Sequence, residues 1–232
     1  MRILTWNCSR KFRTKCEAVL PFGADIMVIQ EAEQLDWLEE APLHDYPHRF
    51  WVGGKPDRGL LVLARPHVAL NPIEGVPEAL RSNLLPLRVV GPQRFDLFAI
   101  WTWKAEDDTY TGQVREAIDA YEAELREGAV LVGDWNSNAV WDDSHPRATS
   151  HTQLVERLAG LGLASAYHEF TGEAQGAESR PTHANLKKLD RACHIDHCFV
   201  SRHLLTEHAA VEVGELAGWL EWSDHTPMVV DL

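Results

Sequence analysis

The sequence lacks the features that would place it in a specialised structural class. In 232 residues it has 4 cysteines, too few for a disulfide scaffold. No apolar run approaches the roughly 18 residues that span a bilayer, so we expect no membrane partner. The first apolar run has no charged segment and long apolar stretch typical of a signal peptide, so we expect a cytoplasmic location. We find no repeat, low-complexity segment or linker, and we expect a single domain over residues 1–232.

Positive charge is also scarce. The chain has 22 Lys and Arg against 35 Asp and Glu, which gives a net charge of −13. This balance argues against extensive neutralisation of a nucleic-acid backbone. A phosphate substrate stays compatible, because a bound divalent cation reverses the sign of the local charge. Two local basic clusters, at Arg10–Lys15 and at Lys187, Lys188 and Arg191, are interpreted either as solvated faces or as binding patches.

The most informative stretch that is present runs from Val130 to Asn138. Its short apolar run, followed by Gly133 and Asp134, predicts a buried strand that delivers polar groups at its carboxyl end, where α/β proteins place chemistry. Asp134 can accept a proton or orient a water, and Asn136 can point the same way if the chain stays extended. The alternative interpretation is an ordinary strand that ends in an Asx turn.

Hydrophobic periodicity predicts the other elements. Strands are predicted at 2–7, 25–31, 48–52, 59–64, 83–90, 94–103, 163–168, 194–200, 209–213 and 225–232. Helices are predicted at 15–20, 32–40, 111–127 and, after a capping box that starts at Ser150, at 151–162, while residues 136–149 form a polar loop that carries His145. The resulting fold class is α/β, with two packed, mainly antiparallel sheets and helices outside.

Polar residues end or interrupt several of these strands. They are Asn7, Glu31, Asp134, Asn136, Asp196, Asp224 and His225. The carboxylates of Glu31 and Asp224 are hard oxygen ligands of the kind that Mg²⁺ or Mn²⁺ prefers, and Asn7 can add an amide contact. Asp196 can hold His225 in one tautomer, and an imidazole aimed at a phosphoryl oxygen would stabilise charge in the transition state. These residues predict a one-metal phosphoester site.

The segment Cys193–Cys198 invites a second interpretation as a structural zinc site. On a strand, however, Cys193 and His197 share one face, whereas His194 and Cys198 share the other. The four side chains cannot converge on one ion without a break in the strand.

Five short motifs, in order along the chain, resemble those of the endonuclease/exonuclease/phosphatase superfamily, which includes deoxyribonuclease I. They are Thr5-Trp6-Asn7, Ile29-Gln30-Glu31, Gly133-Asp134-Trp135-Asn136, His194-Ile195-Asp196-His197 and Ser223-Asp224-His225-Thr226-Pro227. They cover nearly the whole chain. The resemblance implies a four-layer α/β/β/α sandwich and hydrolysis of a phosphoester by an activated water, with Mg²⁺ or Mn²⁺ as cofactor.

The resemblance also implies roles for individual residues. Glu31 would be the main metal ligand, with Asn7 and Asp224 in or near the metal shell. The implied catalytic residues are Asp134, which orients or deprotonates the water, Asn136, which contacts the phosphate, and His225 with Asp196, which stabilise the phosphorane.

One position departs from the superfamily pattern. Many relatives have a His or Tyr at the end of the strand before the long helix to assist the leaving group, and Trp103 stands there instead. The indole N–H has no labile proton to give. Lys104, Tyr110 or a metal-bound water takes the role, or the leaving group needs little help, or the chain is an inactive relative.

These observations leave three functions open. The leading one is a metal-dependent nuclease or phosphodiesterase that acts on nucleic acid, DNA rather than RNA, as a monomer. Its substrate would contact Arg10, Lys11, Trp103 and Lys104, and tryptophans near the motifs (Trp135, Trp141, Trp219 and Trp222) either pack in the core or stack on bases. The others are a phosphomonoesterase acting on a nucleotide, sugar or inositol phosphate, which the net charge of −13 favours, and a non-catalytic binding module.

Overall fold

The computed structural model describes residues 1–104, 109–144 and 146–232, so His145 of the predicted loop lies outside the described residues. The strands are β1 (Arg2–Asn7), β2 (Ile26–Ala32), β3 (His48–Lys55), β4 (Arg58–Ala64), β5 (Ala69–Pro72), β6 (Leu84–Val90), β7 (Arg94–Trp101), β8 (Ala129–Asp134), β9 (Leu163–Ser165), β10 (His183–Ala184), β11 (Ala192–Cys193), β12 (Asp196–Ser201), β13 (Ala210–Val213) and β14 (Met228–Asp231). The α-helices are α1 (Tyr110–Ala120), α2 (Glu122–Glu127), α3 (His151–Gly160), α4 (Ala166–Thr171) and α5 (Leu216–Trp219).

Two six-stranded mixed sheets form the framework. The first has the strand order β13-β14-β1-β2-β4-β3 and the second β5-β6-β7-β8-β12-β9. In each sheet the central pair is parallel, β1 with β2 and β7 with β8, and the flanking neighbours pair antiparallel. Parallel neighbours end on the same side of a sheet, so each sheet brings two carboxyl ends together at its centre.

Side-chain alternation along these strands builds three apolar layers. The layer between the sheets includes Ile3, Val28, Leu97 and Val130. The outer face of the first sheet is covered by a cluster that includes Leu4, Trp6, Phe12 and Met27, and the outer face of the second by one that includes Phe98, Leu131, Val114 and Leu154. Each fully buried side chain of this size contributes about 1.5–3 kcal/mol of transfer free energy. The predicted α/β sandwich of two packed sheets is confirmed.

The two outer layers differ in their secondary structure. Helices α1 and α3 cover the second sheet with an apolar stripe each. Over the first sheet, 3₁₀ turns stand where helices were predicted at 15–20 and 32–40: Phe12–Thr14, Cys16–Ala18, Leu20–Phe22 and Leu35–Leu38. Pro21 lies inside the third turn and supplies no N–H to extend a helix through it. A segment of one turn forms too few hydrogen bonds to offset the conformational entropy that helix nucleation costs.

The boundaries of other helices and strands also differ from the predicted ones. The helix predicted at 111–127 breaks at Tyr121, which has φ −126° and whose ring packs 5.0 Å from the ring of Phe98. The strand predicted at 163–168 stops at Ser165 and continues as α4. Ser150 caps α3 as predicted, because its hydroxyl accepts a hydrogen bond from the backbone N–H of Gln153 at 3.3 Å. None of the helices in the described ranges has the length and apolar character that crossing a bilayer requires.

Candidate active site

Two aspartates face each other where β8 and β12 pair. Asp134, the last residue of β8, is the direct partner of Asp196, the first residue of β12, so both project from the same face of the sheet. Gly133 precedes Asp134 with φ 144°, and a Cβ there would lie 1.9 Å from the carbonyl oxygen of Ile100. Only glycine lets the chain pass this close to β7 and still present the carboxylate.

Glu31 and Asn7 lie at the ends of the parallel pair in the first sheet. Glu31 occupies a bulge in β2 with φ 59°, a left-handed conformation that turns its side chain out of the strand alternation. Asn7 Nδ2 donates to Asp134 Oδ2 at 3.0 Å and lies 3.4 Å from Glu31 Oε1. Asn7 therefore joins the carboxyl ends of the two sheets, and it places Glu31 next to Asp134.

The chain turns sharply after Asp134 instead of staying extended, as in the alternative interpretation of this stretch. Asn136 has φ 48°, and its backbone N–H donates to Asp134 Oδ1 at 2.9 Å, which is an Asx turn. Its side chain nevertheless reaches the site: Nδ2 donates to Asp134 Oδ2 at 3.1 Å and to the carbonyl oxygen of Thr102 at 2.9 Å. The turn and the polar site are thus one structure, in which Asn136 orients the Asp134 carboxylate.

His225 lies between the two aspartates. Its Nδ1 is 2.9 Å from Asp196 Oδ2, and its Nε2 is 4.0 Å from Asp134 Oδ2. Burial lowers the pKa of His225, but the carboxylates, Asp196 first, outweigh burial and raise the pKa to about 9. Burial raises the pKa of Asp134 to about 7, against the opposing charge of His225. At neutral pH the group therefore holds a proton on His225 and has, in Asp134, a base close to its midpoint.

Residues that the sequence did not single out hold His225 in place. The Thr182 hydroxyl accepts from the backbone N–H of Asp196 at 3.1 Å, and the carbonyl oxygen of Thr182 accepts from Thr226 N at 2.8 Å. The His183 ring packs against that of His225 at an angle of 45°, with ring centroids 4.5 Å apart. The sequence offers no signal for these contacts, because β10 is only two residues long and its partners come from distant segments.

Asp224 lies beside the end of β1. The Ser223 hydroxyl donates to the carbonyl oxygen of Asn7 at 2.7 Å and lies 3.4 Å from Asp224 Oδ1. Asp224 Oδ2 is 3.8 Å from His183 Nε2. The carboxylate thus faces His183, and its contacts tie it to the Asn7 end of the site through Ser223.

The donor set fits a divalent cation in two places. Glu31 offers hard carboxylate oxygens, and its side chain is 24% exposed, so an ion has access to it. Asn7 turns its Nδ2 toward Glu31, and its Oδ1 accepts from Ser9 N at 3.0 Å. In the described part of the chain, Asp134, Asp196 and His225 also form a group whose ligand atoms lie within 4.8 Å of one another. In that group, Asp196 Oδ1 is buried and has no hydrogen-bond partner among the described residues. The Glu31 carboxylate matches the preference of Mg²⁺ better than the group that contains imidazole.

The predicted substrate-binding residues are dispersed around this centre. Arg10 lies in a left-handed turn, with its Nε 3.9 Å from Glu31 Oε2, and Lys11 is exposed in the same turn. Trp103 packs edge-on against Trp101, with ring centroids 5.1 Å apart, and Lys104 is exposed. Arg10 therefore flanks the Glu31 end of the site, whereas the partly buried Trp103 ring packs against the core.

The four tryptophans near the motifs divide into two pairs. Trp135 is fully buried and stacks on Phe199, and Trp219 packs against Trp6. Trp141 and Trp222 are 40% and 37% exposed. Only the second pair is accessible for stacking on a base.

A pocket of about 640 Å³ opens beside Asn136 and His183, the neighbours of Asp134 and His225. It is lined by Tyr110, Asn136, Trp141, His183, Arg191 and Cys193, among others. Because Asn136 contacts Asp134 and His183 contacts His225, the pocket is separated from the buried carboxylates by these two side chains. Its volume lies in the range of small-molecule sites, roughly 300–1,000 Å³.

The alternative zinc site does not form. Cys198 packs in the layer between the sheets, whereas the His197 ring lies against Trp135 at 5.1 Å, on the other face of β12. Cys193 Sγ lies 3.6 Å from His183 Nδ1 instead. Cys193 and His194 precede β12, so the single strand expected over all four candidate ligands does not form, and the rings of His194 and His197 are 5.3 Å apart rather than on opposite faces. Within β12, the alternation of side chains separates His197 from Cys198.

Fold and site together define a class of protein. Buried carboxylates and a protonated histidine, held at the joined ends of two packed sheets, are the kind of group that hydrolases use for acid–base chemistry.

The comparisons with known proteins name the family. The model of the Endonuclease/Exonuclease/phosphatase family matches residues 4–225, and the chain belongs to this family of hydrolytic nucleases and phosphatases. This confirms the resemblance drawn from the five motifs. A search of the curated proteins finds no match.

Solved structures show the same fold at low sequence identity. A 3′-5′ exonuclease (NExo) from Neisseria meningitidis has 20% identity and a TM-score of 0.73, over 100% of this chain and 99% of that chain. An AP endonuclease from Archaeoglobus fulgidus has 17% identity and a TM-score of 0.73, with the same coverage of both chains. The catalytic domain of APE2 from Xenopus laevis has 14% identity and a TM-score of 0.72, over 100% of this chain and 91% of that chain.

Proposed function

We propose that the protein is a divalent-metal-dependent phosphodiesterase that cleaves nucleic acid, DNA rather than RNA, with an activated water. The observation that carries the proposal is the continuous contact chain from Glu31 through Asn7 to Asp134, with His225 4.0 Å beyond it. This chain of contacts supports a cation site, a base and a protonated histidine around one space, as phosphoryl transfer to water requires.

Each residue of the centre has a chemical task in this proposal. Asp134 takes a proton from the attacking water, which its raised pKa of about 7 suits. His225, kept protonated by Asp196, donates to a non-bridging phosphoryl oxygen, where negative charge grows in the transition state. Asn136 and Asn7 keep the Asp134 carboxylate in one orientation through hydrogen bonds of 3.1 and 3.0 Å from their Nδ2 atoms.

Glu31 and Asn7, with Asp224 nearby, would hold the divalent cation. When bound, the cation supplies positive charge at the phosphoryl oxygens. It also offsets the excess of acidic side chains, which otherwise repels a phosphate from a chain with a net charge of −13.

The choice of DNA rests on the neighbours' printed descriptions and on local charge. One similar structure is described as the 3′ phosphatase NExo bound to a product DNA hairpin, and another as an AP endonuclease. Arg10 and Lys11 supply positive charge next to Glu31. Because the chain as a whole is acidic, we expect few phosphate contacts and a short binding footprint.

A second candidate function is a phosphomonoesterase that acts on a nucleotide or sugar phosphate. The pocket of about 640 Å³ favours it, because a small organic group fits there beside the carboxylates. The two functions differ in product: the diesterase shortens or nicks a chain, whereas the monoesterase releases inorganic phosphate.

The experiment uses metal-free protein with Mn²⁺ or Mg²⁺ added back. Single- and double-stranded DNA, the matching RNA and a DNA with a 3′-phosphate are offered separately. We expect metal-dependent cleavage of DNA, and we expect Glu31→Gln to lower kcat/KM about a hundredfold and to raise the Mn²⁺ concentration that gives half-maximal activity.

Glu33→Gln is the matched control. Glu33 lies two residues further along and has its own arginine partner, with its Oε1 3.7 Å from Arg13 Nε, but it does not contact Asn7 in the structure. If both substitutions had an equal effect, the loss of activity would come from disturbed local folding and not from lost metal binding. Phosphate release without chain cleavage would overturn the diesterase in favour of the monoesterase, and no turnover of any of these substrates would favour a binding module.

A further inference from the structure

A left-handed turn follows the strand that carries Asn7. Ser9, Arg10 and Lys11 have φ 51°, 68° and 55°, and none of the three is glycine. In this conformation the Cβ of an L-residue crowds its own backbone, so such residues persist only where the surrounding structure holds them. The contacts that hold this turn therefore bear on the neighbouring site.

The Lys15 side chain holds the start of the left-handed turn. Its Nζ donates to the carbonyl oxygen of Cys8 at 2.6 Å and to that of Ser9 at 3.2 Å. Lys15 is half-buried, and burial lowers its pKa. Hydrogen bonds from a partly desolvated ammonium are stronger than those between neutral groups in water. One side chain thus fixes two successive carbonyl groups of the backbone.

The orientation of Asn7 depends on the same backbone. Asn7 Oδ1 accepts from Ser9 N at 3.0 Å, which decides which end of the amide faces the site. Asn7 Nδ2 then donates to Asp134 Oδ2 at 3.0 Å and lies 3.4 Å from Glu31 Oε1. A displacement of Ser9 would therefore release the amide that lies between Asp134 and Glu31.

The position of Arg10 depends on the turn as well. Its Nε lies 3.9 Å from Glu31 Oε2 although its side chain is 53% exposed. At the far end of the turn, the Thr14 hydroxyl donates to the carbonyl oxygen of Lys11 at 3.0 Å. Lys15 and Thr14 thus hold opposite ends of the turn, and Lys15 holds the end that leads to the site.

We propose that Lys15 is a positioning residue that sets the metal affinity of the site through the left-handed turn. It keeps Asn7 and Arg10 in place beside Glu31 and takes no part in the reaction itself. The inference rests on the proposed function, in which Glu31, with Asn7 beside it, holds a divalent cation. Groups that orient a metal ligand affect affinity although they do not touch the ion.

Positioning and charge make opposite predictions for this lysine. The Lys15 ammonium lies within electrostatic reach of Asp224 and Glu33, so as a charge alone it repels a cation bound nearby. Loss of the charge alone would tighten metal binding, whereas loss of the support for the turn would weaken it. The sign of the change therefore distinguishes the two roles.

The test measures binding of Mn²⁺ to metal-free protein, with the free ion counted by electron paramagnetic resonance. Lys15→Met keeps an unbranched side chain of similar length but removes the donor. We expect it to raise the dissociation constant of Mn²⁺ about tenfold. Lys15→Arg keeps both the charge and the N–H donors, and we expect its dissociation constant to stay within about threefold of the wild-type value.

Arg94→Met is the matched control. It removes one positive charge at an exposed residue where β7 begins, at the opposite end of the strand from the site, and it should leave Mn²⁺ binding unchanged. Circular dichroism shows whether Lys15→Met is folded. If it is not, Lys15→Gln, with a shorter polar side chain, is measured in its place with the same expectation.

Tighter or unchanged binding of Mn²⁺ by the folded Lys15 variant would overturn the assignment, as would an equal weakening in Lys15→Arg. Cleavage of DNA is measured on the same proteins. If the wild-type protein binds Mn²⁺ but cleaves no phosphodiester, the proposed function fails, and the dissociation constants still decide the role of Lys15. No measurable binding of Mn²⁺ by the wild-type protein would overturn both proposals.

Discussion

Two sets of buried histidines lie at the same rim of the sandwich and differ in charge. The first set is His225 alone, which is protonated, and the second, neutral set consists of His151 and His197. His225 has a carboxylate 2.9 Å from its Nδ1, and its pKa rises to about 9 because the charges of Asp196 and Asp134 outweigh burial. His151 and His197 have each other as neighbours, with ring centroids 4.8 Å apart. Burial lowers the pKa of His151 to about 4 and that of His197 well below its usual range.

The comparison shows that burial alone does not decide what a histidine does. With a carboxylate at hydrogen-bond distance, a buried imidazole keeps its proton and can stabilise an anion. Without one, it stays neutral and serves as an ordinary hydrogen-bond partner. In the second set, His151 Nδ1 is 3.0 Å from the Ser137 hydroxyl, and His197 Nε2 is 2.9 Å from the carbonyl oxygen of Ser137. The neutral set thus holds the turn that follows Asp134.

The largest expected effect comes from making His225 resemble the neutral set. Asp196→Asn removes the carboxylate that keeps the imidazole protonated, and we expect kcat/KM to fall about a thousandfold. An NMR titration of the ring protons should show the pKa of His225 moving down. His208→Ala, at a highly exposed histidine, is the control and should leave activity unchanged. A loss below about tenfold for Asp196→Asn would show that His225 does not need a charged partner.

The second effect is on stability as a function of pH. Between the lowered folded-state pKa of His151, about 4, and its ordinary value of 6.5, the unfolded chain binds a proton that the folded chain does not. Stability from His151 is therefore complete above about pH 6.5 and is lost as the pH falls, by about 1.4 kcal/mol per pH unit for each such histidine. Asp134, with its raised pKa, binds a proton in the folded state over the same window and offsets part of the loss.

A comparison of the wild-type protein with His151→Gln isolates the contribution of His151 to the pH dependence of stability. We expect urea unfolding at pH 7 and pH 5 to show a weaker pH dependence for His151→Gln than for the wild-type protein, by about one proton. His225 adds no slope below pH 6.5, because it is protonated there in both states, given its folded-state pKa of about 9. Equal slopes for the two proteins would mean that His151 is protonated in the folded state, like His225.

The smallest effect concerns the turn that the neutral set holds. Ser137→Ala removes the hydroxyl partner of His151 but keeps the carbonyl contact to His197. We expect a loss of about 1 kcal/mol in unfolding free energy and a change in kcat/KM within about threefold. A large loss of activity with unchanged stability would give the neutral histidines a direct part in the reaction.

Much of the framework could be predicted from the sequence. The strands that carry the site were placed correctly, because buried runs such as Val130–Val132 are a local property of the chain. The outer layer of the first sheet was mispredicted as helix, since one-turn 3₁₀ segments and short helices share the same local pattern. Strand β5 and helix α5 were missed, because each has only four residues and no periodicity to detect.

The site divides in the same way. Asp134 and Asp196 were identifiable because polar residues that follow apolar strands mark a functional rim. His183 and Thr182 were not identifiable, because they act through contacts with segments far away in sequence. The left-handed backbone of Glu31, at φ 59°, was also hidden, since nothing in its residue type announces a bulge.

By itself, the sequence determined the family, the two-sheet framework and the residue types available for chemistry, because side-chain chemistry and strand periodicity are properties of short segments. Only the tertiary structure decided how those residues combine. It joins Asn7 to Asp134 across 127 positions in the sequence. It also brings Tyr110, and not Trp103, to the lining of the pocket. It also sets the charge of each histidine, because a pKa depends on which groups lie within a few ångströms, and folding alone fixes those distances.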